Sequence, residues 1–278
     1  LSGGKLVIFE TFEPHLFSNT ISKERAEILS VVPTLLIALN RSYRWLNKDL
    51  FKSVKYFLTA ASYLPVDVLK SVTKNFDVKV IQGYGLSEVV NYSLCMPTDL
   101  NPDTYDKIII DQLNTCVGVE LLGNEVSIFN SAGLLCVENE IGEIHIRGSS
   151  VMHGYLNQTE GESVFFQNFL RTGDLGYFKY FNQVKYFYLT GRKKDIIKRS
   201  GETVSLKEVD SILSTFNLGQ KDIISIGFNS NFYGEEVGFV IQADSNFNVD
   251  ITELKTDLGA VKMNEGVALK EVAVTAQK

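Results

Sequence analysis

The sequence predicts an α/β protein made of an α/β subdomain, a small β-barrel-like subdomain and a final α+β domain. Three changes of pattern predict it. Up to about Val90, stretches opened by proline and patterned as helices alternate with apolar, strand-like runs. From Val117 to Leu189 the chain breaks into short β-rich pieces punctuated by glycine. After Gly191 an amphipathic helical stretch and two strand-like runs follow. Boundaries drawn from these changes are 1–116, 117–191 and 192–278.

In the first part, the apolar run at 6–9 reads as a strand. Pro14, Pro33 and Pro65 each open a helix, because the N–H that proline lacks is one a first helical turn leaves unbonded anyway. Strands are expected at 55–60 and 78–82, and in the second part at 125–129, 143–147 and 186–189. In the third part, Ser205 and Glu208 have the spacing of a capping box ahead of Leu206, Val209, Ile212 and Leu213, with strands at 222–228 and 236–243. No period of twenty to fifty residues repeats, so repeat folds are set aside.

Composition removes several functional classes. The 278 residues are 45% hydrophobic, 11% aromatic and 22% charged, which is globular and not disordered. No apolar run reaches the roughly 18 residues of a membrane span. Lys+Arg 27 against Asp+Glu 33 leaves a charge of −6, contrary to the massed cations that a nucleic-acid polymer requires. Any anion site must be local. Cys95, Cys116 and Cys136 are odd in number and form no CxxC, so neither a disulfide framework nor a structural zinc site is expected, and a cytoplasmic location fits. The opening Leu1-Ser2-Gly3-Gly4 has no Met and no signal core, so the reading expects no targeting peptide and a start inside a longer chain. Without a signal, the sequons at Asn91 and Asn157 carry no weight. His15, His145 and His153 lack metal-ligand spacing and are expected in surface or half-buried positions.

Three segments remain that could carry chemistry. In Gly191-Arg192-Lys193-Lys194-Asp195-Ile196-Ile197-Lys198-Arg199-Ser200-Gly201, five of the eight residues from 192 to 199 are basic. Such a run is either a solvated face or, between glycines that let the backbone approach a ligand, a site for phosphate or carboxylate. Arg171-Thr172-Gly173-Asp174 offers a carboxylate after a glycine turn, which is either an Asx-type turn residue or an acceptor for the two vicinal hydroxyls of a ribose. Gln82-Gly83-Tyr84-Gly85-Leu86-Ser87-Glu88 closes an apolar strand. Ligands of open α/β sheets bind beyond the carboxyl ends of strands. There Tyr84 could stack on a base, Ser87 hold a phosphate oxygen and Glu88 hold a hard cation such as Mg²⁺.

These segments, with Val32-Pro33-Thr34, Gly142-Glu143-Ile144-His145-Ile146-Arg147-Gly148 and Gly154-Tyr155-Leu156 in the same order, resemble the adenylate-forming superfamily of acyl-CoA synthetases, peptide-synthetase adenylation domains and luciferases. The resemblance runs from Val32 to Val209. It implies a two-step, ATP-dependent acid–thiol ligase: a carboxylic acid attacks ATP to give an acyl-adenylate and pyrophosphate, and a thiol of CoA or of a carrier-protein pantetheine then displaces AMP. Fatty or aryl acids are the substrates it suggests.

Carried over by position, Tyr84 would stack on adenine between Gly83 and Gly85, Ser87 would contact the α-phosphate and Glu88 would bind Mg²⁺. Asp174 and Arg192 would hold the ribose. Ala60, Ala61 and Ser62, with Gly83, would line the acyl pocket, where Ala60 and Ala61 replace the family's usual glycines. Lys194 would be the hinge about which the last domain turns between half-reactions, bringing Lys198 and Gly201 to the site for thioester formation. The family's phosphate loop is expected ahead of Leu1 and its second catalytic lysine after Lys278. The competing reading is a non-catalytic nucleotide-binding or interaction fragment of the same fold. A hydrolase is not supported, because no GxSxG elbow is present.

Overall fold

The computed structural model describes residues 3–90, 92–156, 164–199, 202–213, 223–230 and 234–241. They fall into two compact units, Leu1–Thr190 and Gly191–Lys278.

The first unit begins with α1 (Pro14–Glu24), β1 (Ile28–Ser30), α2 (Pro33–Ser42), β2 (Tyr56–Thr59), α3 (Val66–Phe76) and β3 (Lys79–Tyr84). Proline opens α1 and α2, and the Glu13 carboxylate caps α1 by accepting the Leu16 N–H at 3.1 Å. In α3 the residues Val66, Leu69, Val72 and Phe76 follow helical spacing and are all buried. Phe76 meets Phe51 and Phe57 edge-on, with ring centroids 4.9 and 6.0 Å apart. This packing seats the helix on the sheet. The apolar run at 6–9 forms no strand: Leu6 and Ile8 are 82% and 79% exposed, while Phe9 packs on Phe17 with ring centroids 4.9 Å apart. The three-residue β1, too short to leave a periodic signal, pairs with β2 instead.

The chain continues through β4 (Leu94–Cys95), the short α4 (Pro102–Tyr105), β5 (Thr115–Glu120), β6 (Asn124–Phe129), β7 (Gly142–Gly148), β8 (Phe165–Phe166), β9 (Phe169–Phe181) and β10 (Val184–Arg192). A single ten-stranded sheet runs β1-β2-β3-β4-β5-β10-β9-β7-β6, with β8 paired to β9. β1, β2 and β3 are parallel, and β4 joins β3 to β5 by antiparallel pairing. The crossing at β4 and β5 is tight: a Cβ on Gly118, which has φ +91, would fall 2.1 Å from the Cys95 carbonyl. Two apolar clusters lie along this sheet. One contains Leu36, Phe57, Leu69 and Tyr188, the other Tyr84, Leu94, Ile144 and Phe187.

His145 departs from expectation. It sits on β7 with 3% exposure, its ring 4.7 Å from that of Phe129, because its position on the strand faces an aromatic group and not water.

In the second unit, β11 (Ile196–Arg199), β12 (Glu202–Ser205), α5 (Leu206–Leu213), β13 (Ile223–Ser230) and β14 (Gly234–Ile241) give a four-stranded sheet in the order β12-β11-β14-β13. α5 starts directly after Ser205, and the Glu208 side chain of the expected capping box lies outside what the structure describes. Ser225 ties β13 to α5 twice: its N–H donates to Asp210 Oδ1 at 2.7 Å and its hydroxyl to the Leu206 carbonyl at 2.8 Å. No helix among the described residues is long and apolar enough to cross a membrane. Cys95, Cys116 and Cys136 are free thiols, the last two buried.

Candidate nucleotide site

The parallel strands β2 and β3 end side by side, Thr59 in register with Gln82. Their carboxyl ends therefore deliver Ala60, Ala61 and Ser62 next to Gly83, Tyr84 and Gly85, where an open α/β sheet presents ligand-binding loops. Ala60 is buried, whereas Ala61 and Ser62 are exposed, and Ala61 has a left-handed φ of 74° that glycine would adopt without strain. Gly83 is required by a neighbour: a Cβ there would lie 2.9 Å from the ring of Tyr92. Thr59 Oγ1, Gln82 Oε1 and Ser93 Oγ are buried near these strand ends without a hydrogen-bond partner.

Tyr84 is 7% exposed, packed in the second cluster, and its hydroxyl donates to Asp174 Oδ2 at 2.8 Å. Asp174 is itself 8% exposed and is set by the turn before it. Gly173 has φ +72, the Thr172 hydroxyl donates to the Ile144 carbonyl at 2.6 Å, and that same oxygen accepts the Asp174 N–H at 3.1 Å. Glu143 on β7 closes the turn from the other side: Oε1 accepts the Gly173 N–H at 3.3 Å, and Oε2 lies 3.2 Å from Arg171 Nη2 and 3.7 Å from His145 Nε2. One β7 carboxylate thus fixes the loop that presents Asp174.

Beyond β3, Ser87, Glu88 and Val89 form a single 3₁₀ turn with Ser87 exposed and Glu88 half-buried. Glu88 Oε1 accepts the Tyr155 hydroxyl at 2.6 Å, and the Glu88 carbonyl accepts the Met152 N–H at 2.7 Å. The bond to Glu88 raises the Tyr155 phenol above its ordinary value, keeping it a donor at neutral pH. Among the described residues no group of three or more His, Cys, Asp or Glu side chains converges as a metal cage. A lone carboxylate of this kind suits Mg²⁺, which keeps most of its waters and is held by one or two carboxylates together with substrate phosphates.

In the second unit the basic run alternates. Arg192, Lys193, Lys194 and Lys198 are exposed, Ile197 and Arg199 are buried, and Arg199 pairs with Glu236 at 2.6 Å. Lys194 lies in the 3₁₀ turn Lys193–Asp195, and the Lys198 backbone N–H on β11 donates to Glu235. Ser200 and Gly201 lie outside the described residues.

The structure thus brings together Tyr84 and Asp174, and places the Ala60 to Ser62 stretch beside Gly83. Sequence reasoning assigned no role to Tyr155, Glu143 or Tyr92. The first two stood inside recognised motifs, but only a fold that pairs β7 with β9 and lays 148–155 over the turn at Glu88 reveals what they touch. Tyr92, packed on a glycine, left no signal.

The match to known families decides the kinship: residues 1–156, more than half of the chain, match the family described as AMP-binding enzyme. The chain belongs to that family. Members similar to this AMP-binding family protein include a long-chain-fatty-acid–CoA ligase of Bacillus subtilis, 28% identical over 255 residues that make up 91% of this chain and 43% of the relative. A luciferin 4-monooxygenase of Nipponoluciola cruciata is 28% identical over 262 residues, 91% of this chain and 44% of that protein. The structure of ATP-bound MatB from Rhodopseudomonas palustris superposes with a TM-score of 0.75 at 25% identity, covering 95% of this chain and 50% of that one. The chain therefore spans about half the length of the relatives it matches.

Proposed function

We propose that this chain forms the adenine, ribose and hinge parts of an ATP-dependent acid–thiol ligase that activates a carboxylic acid as its acyl-adenylate and passes the acyl group to CoA or a carrier-protein pantetheine. The observation that carries the reading is the Tyr84 to Asp174 hydrogen bond. It joins the two segments that a nucleoside would need, an aromatic ring and a fixed carboxylate, directly ahead of the Ser87 and Glu88 turn.

Asp174 would accept the ribose hydroxyls. A carboxylate has about four acceptor sites, and the Tyr84 phenol occupies one of them on Oδ2. Tyr84 would pack against the base, which requires displacing part of the cover over its ring. Ser87, exposed at the start of the turn, would donate to the α-phosphate, and Glu88 would hold Mg²⁺. That cation would supply charge neutralisation on the phosphates. Ala60, Ala61, Ser62 and Gly83 would line the acyl pocket. Arg192 would add a second ribose contact, Lys194 would serve as the pivot of the second unit, and Lys198 and Gly201 would act in the thiol step.

The test is acid-dependent exchange of pyrophosphate into ATP, run with a panel of fatty and aryl acids. In a protein that also carries the phosphate loop and the second lysine, exchange that needs both an acid and Asp174 is expected. Nucleotide binding without exchange under any acid would favour the non-catalytic reading, and absence of both would overturn the assignment.

A further inference from the structure

The proposed function gives Glu88 a task and gives Tyr155 none, yet the Tyr155 phenol is the group bonded to the Glu88 carboxylate. We propose that Tyr155 is a positioning residue for Glu88, fixing one carboxylate oxygen so that the other is aimed at the cation carried by the nucleotide. This rests on the reading above, in which ATP is bound and Glu88 is the protein's ligand to its metal.

A glutamate on a single 3₁₀ turn has three side-chain torsions that must be fixed before its carboxylate has a direction. The 148–155 segment fixes them. At 2.6 Å the Tyr155 to Oε1 bond has the length of a charge-assisted O–H to carboxylate bond, the strong kind. From the same segment, the Met152 N–H holds the Glu88 carbonyl at 2.7 Å. Backbone and side chain of one residue are thus gripped by one loop. That loop is anchored in turn: Val151 donates to the Gly148 carbonyl at 3.3 Å, and Val151 and Met152 pack against the cluster that contains Tyr84 and Val89. No other described residue bonds to the Glu88 carboxylate, so Oε2 is the oxygen left for a metal. Groups that orient a metal ligand in this way commonly alter metal affinity about tenfold or more when removed. Tyr155 is 51% exposed, so removal of its hydroxyl disturbs little packing.

The experiment measures ATP affinity by calorimetry with Mg²⁺ and, in parallel, with EDTA, for the unmodified chain, Tyr155→Phe and Glu88→Gln. The unmodified chain should bind ATP more tightly with Mg²⁺, and Glu88→Gln should abolish that gain. Tyr155→Phe should cut the gain by about tenfold while leaving metal-free affinity within about twofold. Equal losses with and without metal would reveal a merely structural role and overturn the proposal. So would an unchanged gain, or a larger one, since the latter means that the phenol competes with the cation. Failure of the unmodified chain to bind ATP, or a gain that survives in Glu88→Gln, would sink the underlying nucleotide reading; loss of the gain in Glu88→Gln but not in Tyr155→Phe sinks only the role of Tyr155.

Discussion

Tyr84 and Asp174, 90 residues apart in sequence, meet through a buried hydrogen bond from phenol to carboxylate. A donor lost from a buried carboxylate leaves it underpaired, so Tyr84→Phe should lower unfolding free energy by about 1–3 kcal/mol, read from urea titration. Asp174→Ala should weaken AMP binding by tenfold or more, because each charge-assisted bond to a ribose hydroxyl is worth roughly 1.5–3 kcal/mol. Unaltered AMP affinity in calorimetry would remove Asp174 from the ribose site.

Ala61 holds a left-handed φ of 74° at the mouth of the candidate acyl pocket. For alanine that conformation costs about 1–2 kcal/mol, against roughly 0.5–1 kcal/mol for glycine's greater freedom when unfolded. Ala61→Gly should therefore stabilise the protein slightly, raising the melting temperature by about 2 °C. At Gly118 the opposite holds, since any Cβ would strike the Cys95 carbonyl. Gly118→Ala should cost about 3 kcal/mol or more, with a collapse of the thermal midpoint as the readout.

Burial pushes the Cys116 thiol up from 9.0 to about 12, and the Cys136 thiol up to about 11. Their neutral forms are favoured in the fold, so the unfolded chain loses these protons first. The resulting stability is complete below pH 9.0, the unfolded value, and drains away as pH climbs towards 11 and 12. Circular dichroism should show alkaline unfolding in this window, with a shallower slope in Cys116→Ala. Near pH 8 both thiols should resist a disulfide reagent in the folded protein and react once it is unfolded, because the thiolate is the reactive form.

Lys194 is exposed in a 3₁₀ turn, and its proposed pivoting requires that its backbone torsions change. Lys194→Pro fixes φ near −65° and should impair one half-reaction far more than the other. Pyrophosphate exchange and thioester formation from supplied acyl-adenylate separate the two. Equal loss in both would count against a pivot, while Lys198→Ala should affect the thiol step selectively.

Much of the fold was legible because proline and helical spacing mark ends and faces locally. Pro14, Pro33 and Pro65 place three helices, and the buried stripe of α3 repeats what its sequence shows. The run at 6–9 misled for a physical reason: apolar residues make a strand only where a neighbouring edge receives them, and Leu6 and Ile8 have none. His145 misled similarly, since its burial depends on Phe129 and Phe166 approaching from other strands. At the site, motif order picked out Tyr84, Glu88 and Asp174 but not the contacts of Tyr155 and Glu143, which arise from long-range pairing that spacing cannot encode.

The two-residue strand β4 has a consequence for how the first unit comes apart. Leu94 belongs to one apolar cluster, Met96 just beyond the strand belongs to the other, and Cys95 packs against the latter. Separating β4 from either neighbour would therefore open both clusters to water at once. The parallel and antiparallel halves of the sheet have no line of weakness between them, and Leu1–Thr190 should lose its structure as one cooperative body, with a calorimetric enthalpy that equals the van't Hoff value.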